Sequence, residues 1–246
     1  LAFVMFGVAL GIQPSMFKEV FKKPKSVIVG LVSQLIALPA LTFLLIVAFN
    51  QYITPMVAMG MILVAACPGG NISNFMSQLS KANTELSVTL TAITTLVSPI
   101  FTPANFAIWG GLYVNFVNPE AGSALRELHI DIYQMFETVF ILLGVPLVLG
   151  ILVSHYLPKV AQKLKKPMQY FSILFFIMMV VLAFGNNVDL FLKYIGFIFI
   201  LVLIRNGLAL STGFGMATIF KLPFADRRTL TIETGIQNSG SGSHSY

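Results

Sequence analysis

The chain has 246 residues, of which 57% are hydrophobic and 10% are charged, whereas about a quarter of the residues are charged in an average soluble domain. This composition argues against a water-soluble enzyme. The formal net charge is +6, but the basic residues cluster in short segments between apolar ones, so we interpret the charge as a membrane-topology signal and not as a nucleic-acid-binding surface.

Apolar runs long enough to cross a bilayer recur along the whole chain. We predict membrane elements at 1–13, 26–48, 53–66 continuing through 71–80, 86–112, 131–154, 168–186, 190–220 and 228–243. The first run is short, and the last one is followed by a polar segment at 241–246. We therefore expect 1–246 to be a single transmembrane domain that is a piece of a longer protein and lacks its first and last helices.

The basic residues predict how the chain is oriented. If the helices alternate, the basic loops 14–25, 155–167 and 221–228 lie on one side of the membrane, which the positive-inside rule makes cytoplasmic. The opposite loops carry Arg126 as their single Lys or Arg. We expect a monomeric multi-pass protein of the cell (inner) membrane, with the lipid bilayer as a partner and no nucleic acid. Cys67 is the only cysteine, so no intrachain disulfide can form.

The long loop 113–130 divides the chain into two halves with the same order of elements. Each half has a plain apolar helix, then a long helix with an internal polar residue, then a helix interrupted by Gly and Asn. An odd number of crossings between the two sets means that the halves run in opposite directions. That is the inverted-repeat plan of secondary transporters, whose interrupted helices mark the binding site. In order, the two sets are 1–13, 26–48 and 53–80, and 168–186, 190–220 and 228–243.

The first interruption is Pro68-Gly69-Gly70. It should unwind its helix, which at membrane depth is tolerated only beside protein or an aqueous cavity. The new helix starting near Asn71 would present free N–H groups and a positive dipole end, which favour an anion. The alternative is a simple kink or close helix packing.

Glu233 is the second candidate site residue. A carboxylate within a membrane-spanning helix is energetically costly unless a cation or hydrogen-bond donors contact it. Thr234, Gln237 and Asn238 surround it with oxygen atoms that suit a hard cation such as sodium. The alternative is an interfacial Glu stabilised by Arg227 or Arg228.

Weaker signals come from single polar residues in apolar helices. Ser87 and Thr91 share one helix face, although such hydroxyls often bond only the preceding turn. Gln34 lies five residues before Pro39. Arg205 could pair with a substrate carboxylate or with a structural partner, and the sequence favours neither. Glu137 has no evident partner. Hydrolase and nucleotide-binding motifs are absent from the sequence, so we do not expect an enzyme.

Three segments in order resemble the signature segments of the bile acid:sodium symporter family. They are Cys67-Pro68-Gly69-Gly70-Asn71-Ile72-Ser73-Asn74, Leu86-Ser87-Val88-Thr89-Leu90-Thr91 and Glu233-Thr234-Gly235-Ile236-Gln237-Asn238-Ser239-Gly240. The spacing of Gln34 and Pro39 and the Asn206-Gly207 pair add to the resemblance. Arg205 departs from the resemblance, because many family members have a His-Asn pair where this chain has Arg205-Asn206.

This resemblance implies two sodium ions, bound behind the crossing of the two broken helices. Carried over by motif, the first sodium site would comprise Ser73, Asn74, Ser87, Thr91 and Glu233. The second would comprise Gln34, Glu233 and Gln237 with the backbone carbonyls of Thr234 and Ile236. Substrate contacts would come from Asn71 and Asn238, with Gly70 and Arg205 beside them.

The implied fold is an all-α polytopic membrane protein, an inverted-repeat transporter with two discontinuous crossing helices and separate core and panel. The core would be 26–48, 53–80, 86–112, 190–220 and 228–243, and the panel 1–13, 131–154 and 168–186. The implied function is sodium-coupled symport, by alternating access, of an organic anion that is bile-acid-like or a small carboxylate or sulfonate. The alternatives are an efflux carrier of the same fold and a non-transporting membrane sensor or scaffold.

Overall fold

The computed structural model describes residues 6–7, 9–10, 18–67, 70–119, 132–185 and 188–236. Every regular element in these ranges is helical, which confirms the predicted all-α fold. In chain order the helices are α1 Lys18–Lys22, α2 Pro24–Ala48, α3 Pro55–Ala66, α4 Asn71–Leu79, α5 Thr84–Leu112, α6 Ile132–Tyr156, α7 Pro158–Gly185, α8 Val188–Ile219 and α9 Phe224–Gly235. A π-helical stretch, Tyr113–Val117, prolongs α5.

Several helices are suited to a bilayer. In the described ranges, Pro24–Ala48, Thr84–Val117 and Phe199–Ile219 are long and apolar enough to cross a membrane, and Pro55–Ala66 and Gly144–Tyr156 are shorter apolar helices. Large apolar side chains also cover the outside of the molecule, among them Leu44, Ile108, Val148, Leu174 and Leu203. An apolar exterior of this kind is expected of a protein solvated by lipid.

Helix α5 lies at the centre of the packing. It contributes Phe106 to one buried apolar cluster, with Ile46 of α2 and Ile62 of α3. It contributes Leu86 and Leu90 to a second cluster, with Val27 of α2 and Leu230 of α9. Because one helix joins both clusters, its polar side chains can meet those of several neighbours.

Two prolines inside membrane-length helices have their freed carbonyls satisfied by side chains. Pro39 has no N–H for the carbonyl of Leu35; the helix takes a π-helical form over Ser33–Ala37, and Asn105 Nδ2 donates to Leu35 O at 3.0 Å. Pro99 likewise has no N–H for the carbonyl of Thr95, which instead accepts from Ser98 Oγ at 2.8 Å. Both helices therefore continue past their prolines.

Two helices begin at least four residues earlier than the hydropathy predicts. Helix α7 starts at Pro158 and not near 168, and α9 starts at Phe224 and not near 228. Residues 158–167 contain four lysines, so an apolar criterion does not detect them, although proline at the first helical position is a normal helix start. Predicted element 1–13 lies mostly outside the described residues, as does the part of 228–243 after 236.

Gly213 lets α8 and α9 approach closely, as small residues do in membrane helix pairs. A Cβ there would collide with the backbone O of Leu230 and lie 2.9 Å from Thr231 Cα, whereas a Cβ on Gly215 would meet nothing within 4 Å. We expect Gly213→Ala to destabilise the fold by about 2 kcal/mol through overpacking, and Gly215→Ala to stabilise it by up to roughly 1 kcal/mol through helix propensity. Thermal unfolding of the purified variants in detergent measures both, and equal effects would contradict the close approach.

Candidate functional site

The helix predicted to be interrupted at 68–70 is interrupted in the structure. Cys67 and Gly70 have extended backbones, with φ, ψ of −77°, 146° and −120°, 176°, so α3 ends and α4 begins anew at Asn71. Backbone groups at the break are satisfied by protein, as lipid requires. Thr102 Oγ1 donates to Ala66 O at 3.1 Å, and Gly70 O accepts from Ser73 N at 3.0 Å. Pro68 and Gly69 themselves lie outside the described residues.

Glu233 is fully buried on α9 and meets hydroxyl groups from two other helices. Ser73 Oγ of α4 donates to Glu233 Oε1 at 2.7 Å, and Ser87 Oγ of α5 also hydrogen-bonds to Oε1. Thr91 Oγ1 lies 3.2 Å from Oε2. Asn74 completes the group, because its Oδ1 is 2.8 Å from Ser87 Oγ and 3.1 Å from Thr91 Oγ1. The structure thus brings together all five residues predicted for the first sodium site.

The chemistry of this cluster favours a cation. Three hydroxyl groups can donate only one proton each, while both carboxylate oxygens of Glu233, Asn74 Oδ1 and Gly70 O can accept. A buried carboxylate needs a counter-charge as well as hydrogen bonds. Within the described ranges Glu233 forms no ion pair with a basic side chain. Carboxylate, hydroxyl and amide oxygens are ligands suited to a hard cation.

The alternative of an interfacial Glu233 held by arginine does not agree with the geometry. Arg228 donates to Ser80 O at 3.1 Å and stacks over Phe224 at 4.3 Å, and Arg227 lies over the Phe214 ring at 5.9 Å. Glu233 is fully buried. Neither arginine is its partner.

Gln34 is buried in the π-helical stretch of α2, next to α9. Neither its Oε1 nor its Nε2 has a hydrogen-bond partner in the described part of the chain, and such unsatisfied buried amide atoms are rare. The adjacent Ser33 Oγ is 3.0 Å from Thr234 Oγ1, which ties this stretch to the residue after Glu233. Helix α9 ends at Gly235, next to Thr234, and the C-terminal end of a helix carries a partial negative charge.

The predicted substrate contacts are only partly described. Asn71 begins α4 and Gly70 precedes it, but the side chain of Asn71, like Gln237 and Asn238, lies outside the described residues. Arg205 is 8% exposed on α8 and lies near Cys67, at the break. That places a guanidinium near the positive N-terminus of α4.

The structure also shows functional candidates that the sequence reasoning missed. Asn105 holds the π-helical stretch that carries Gln34, and Trp109 Nε1 donates to Asn105 Oδ1 at 3.2 Å. Thr102 satisfies the end of α3. A polar residue inside an apolar helix was the available signal for both, but its partner lies on another helix and cannot be read from spacing.

Comparison with known proteins identifies the family of the chain. The model of the sodium bile acid symporter family matches residues 1–194. A Bacillus subtilis protein named uncharacterized sodium-dependent transporter YocS is 31% identical over 242 residues, covering 98% of this chain and 70% of that protein. The human ileal sodium/bile acid cotransporter is 30% identical over 241 residues, covering 97% and 65%. The human P3 protein is 29% identical over 238 residues, covering 93% and 45%.

The chain therefore spans less than two thirds of the length of some of these relatives. The predicted resemblance is nevertheless confirmed, since the family model covers most of the chain and the similarity to the relatives continues through α9. An apolar helical fold with a buried cluster of carboxylate, hydroxyl and amide oxygens is consistent with the same assignment. This chain belongs to the sodium bile acid symporter family, whose members are sodium-coupled membrane transporters and not enzymes.

Proposed function

We propose that this protein uses the sodium gradient to carry an organic anion into the cell. The observation that carries the proposal is the fully buried Glu233 carboxylate, met by hydroxyl groups from α4 and α5. A cation bound there would contact three helices at once. Sodium would therefore favour the arrangement in which the break between α3 and α4 is held against α9.

The proposal includes a second sodium ion. Its supports are the buried amide of Gln34, which has no hydrogen-bond partner among the described residues, the Ser33–Thr234 contact and the negative dipole end of α9. Gln237, the remaining predicted ligand, lies outside the described residues. Glu233 would be shared by the two ions, so that two positive charges offset one buried carboxylate. The site would then carry a net positive charge that attracts an anion.

The substrate we propose is a bile-acid-like molecule or a small carboxylate or sulfonate. Helix α4 begins at Asn71, and the first backbone N–H groups of a helix have no partners within that helix and suit an anion. Arg205 lies near the same break. Asn238 is the proposed contact from the second broken helix. The names of two relatives support this substrate class. They are the human ileal sodium/bile acid cotransporter and a rice protein named as a probable sodium/metabolite cotransporter.

Transport would follow from an inverted-repeat fold in which a core moves against a panel. We assign α2, α3, α4, α5, α8 and α9 to the core and α6, α7 and residues 1–13 to the panel. The core assignment is supported by the ligand set, which comes from α2, α4, α5 and α9. Ion binding can drive such movement only if the ions bind one state more tightly than the other. We further propose a monomer in the cell (inner) membrane, with the basic segments 14–25, 155–167 and 221–228 facing the cytoplasm.

Uptake by the full-length protein in proteoliposomes tests this proposal. We expect an inward sodium gradient to drive accumulation of labelled taurocholate or labelled pyruvate, and potassium not to replace sodium. Thr91→Val removes a hydroxyl from the ion site without changing side-chain shape, so the sodium concentration for half-maximal uptake should rise about tenfold.

The matched control is Thr94→Val. Thr94 lies on the same helix, and its described hydrogen bonds go only to the backbone O of Leu90 and Thr91, so this variant should keep the wild-type sodium dependence. Sodium-driven efflux would favour the exporter alternative. Sodium binding without movement of any anion would favour the sensor.

A further inference from the structure

A second buried carboxylate lies at the start of α9 and has no part in the ion site described above. Asp226 is fully buried. Its Oδ1 accepts from Lys23 Nζ at 3.1 Å and from Asn83 Nδ2 at 2.8 Å, and its Oδ2 accepts from Ser26 Oγ at 2.8 Å. The Lys23 side chain is 42% exposed. This Asp226 cluster therefore joins the beginnings of α2, α5 and α9.

Each helix that enters the Asp226 cluster carries a proposed sodium ligand further along. On α9, Glu233 follows Asp226 by seven residues, or two turns, about 10 Å along the axis. On α2, Gln34 follows Ser26 by eight residues. On α5, Ser87 follows Asn83 by four residues, and Asn83 also caps that helix by accepting from Leu86 N at 3.1 Å. The cluster and the ion site are thus two polar layers spanning the same three helices.

Backbone contacts strengthen the first layer. Asn83 N donates to Ala225 O at 3.4 Å, and Thr229 Oγ1 lies 3.0 Å from Asn83 O. Between the two layers α9 buries Leu230 against Leu86 and Leu90 of α5. An apolar contact of this kind resists separation of the helices but tolerates sliding and rotation. The directional hydrogen bonds of Asp226 oppose sliding and rotation as well.

Register matters because the ion site depends on it. A shift of one residue rotates a helix by about 100° and would turn Glu233 away from Ser87 and Thr91. A buried polar network often contributes little net stability, and its best-attested use is to specify one register over others. The three donors to Asp226 meet this description, since they come from the starts of α2 and α5 and approach both carboxylate oxygens.

We propose that Asp226 is a positioning residue for sodium binding: it fixes the register of α9 against α2 and α5, so that the ligands around Glu233 are preformed. The inference rests on the proposed sodium-coupled function. Asp226 touches neither ion nor anion in this scheme. Its effect is therefore on sodium affinity and not on the maximum rate of transport.

The experiment measures sodium-dependent taurocholate or pyruvate uptake by the full-length protein carrying Asp226→Asn. The asparagine keeps the shape but replaces one acceptor by a donor facing Lys23, Asn83 or Ser26. We expect the half-maximal sodium concentration to rise about tenfold, while uptake at saturating sodium stays within twofold of wild type. A role in folding alone would lower the amount of active protein and hence the maximum rate, with the half-maximal sodium concentration unchanged.

Glu85→Gln is the matched control, because Glu85 is an exposed acidic residue of α5 that pairs with Lys22 at 3.4 Å. It should leave sodium dependence unchanged. If Asp226→Asn does not fold, Ser26→Ala tests the proposal instead, since it removes only the donor to Oδ2. It should raise the half-maximal sodium concentration about threefold.

Unchanged sodium affinity in the folded variants, with a sodium-dependent wild type, overturns the positioning role alone. A wild type whose uptake ignores sodium overturns the proposed function and this inference together.

Discussion

Glu233→Gln is expected to abolish sodium-driven uptake while leaving the protein folded. The substitution keeps the side-chain shape and an acceptor for Ser73 or Ser87, but it removes the charge that two sodium ions would share. We expect the half-maximal sodium concentration to rise more than about 100-fold, or roughly 2.7 kcal/mol of binding free energy. Glu233 forms no ion pair with a basic side chain in the described part of the chain, so removing its charge should not lower stability in sodium-free buffer, since the charged form is expensive to bury.

Two measurements separate these effects. Uptake against sodium concentration reports coupling, and thermal unfolding with and without sodium reports binding, because a ligand that binds only the folded state raises its stability. In wild type, sodium should raise the unfolding temperature; in Glu233→Gln it should not. The control is Glu137→Gln, which makes the same chemical change at an exposed position of α6. Sodium-driven uptake by Glu233→Gln with near-normal sodium affinity would remove this residue from the ion site.

The second large effect is expected from Gln34→Leu. Neither amide atom of Gln34 has a partner in the described structure, and each unsatisfied buried polar group costs about 1–3 kcal/mol. A leucine of similar size should therefore be tolerated or should stabilise the sodium-free protein. Loss of the second ion should lower the Hill coefficient for sodium from about two to about one and reduce uptake at least about tenfold.

Gln78→Leu provides the comparison, since Gln78 is exposed on α4. It should change neither the Hill coefficient nor uptake. An unchanged Hill coefficient in Gln34→Leu would mean that this amide serves another purpose. A fall of the coefficient to about one, taken together with the Glu233→Gln result, would separate the first ion from the second, because Ser73, Ser87 and Thr91 do not depend on Gln34 for their contacts.

The site residues could be predicted because their signals are local and unusual in lipid. A carboxylate such as Glu233 in a membrane helix, or Pro-Gly-Gly before Asn71, stands out against an apolar background without reference to any other segment. The resemblance to a family then grouped these separate segments into one site. The structure places Ser73, Asn74, Ser87, Thr91 and Glu233 within hydrogen-bonding distance of one another, while their binding of sodium stays a prediction.

Other features could not be predicted for equally physical reasons. Asp226 and Asn83 are 143 residues apart, and each alone is an ordinary polar residue near a helix start. Asn105 becomes meaningful only when Leu35 O, freed by Pro39, is seen beside it. The early start of α7 was missed because hydropathy measures lipid preference and not helix formation, so a basic helical turn outside the hydrocarbon gives no signal.

The composition of α9 has a consequence for biosynthesis. Four of its twelve residues are ionisable, namely Asp226, Arg227, Arg228 and Glu233, and each is costly to transfer into a bilayer on its own. This helix is not apolar enough to insert into a bilayer on its own. Its charged side chains need counter-charges or hydrogen-bond partners on neighbouring segments. The contacts described for it lie on α2, α4, α5 and α8 and on the turn before α5. Insertion of α9 into a bilayer is therefore coupled to its packing against these helices, because their side chains donate the hydrogen bonds that its buried carboxylates need.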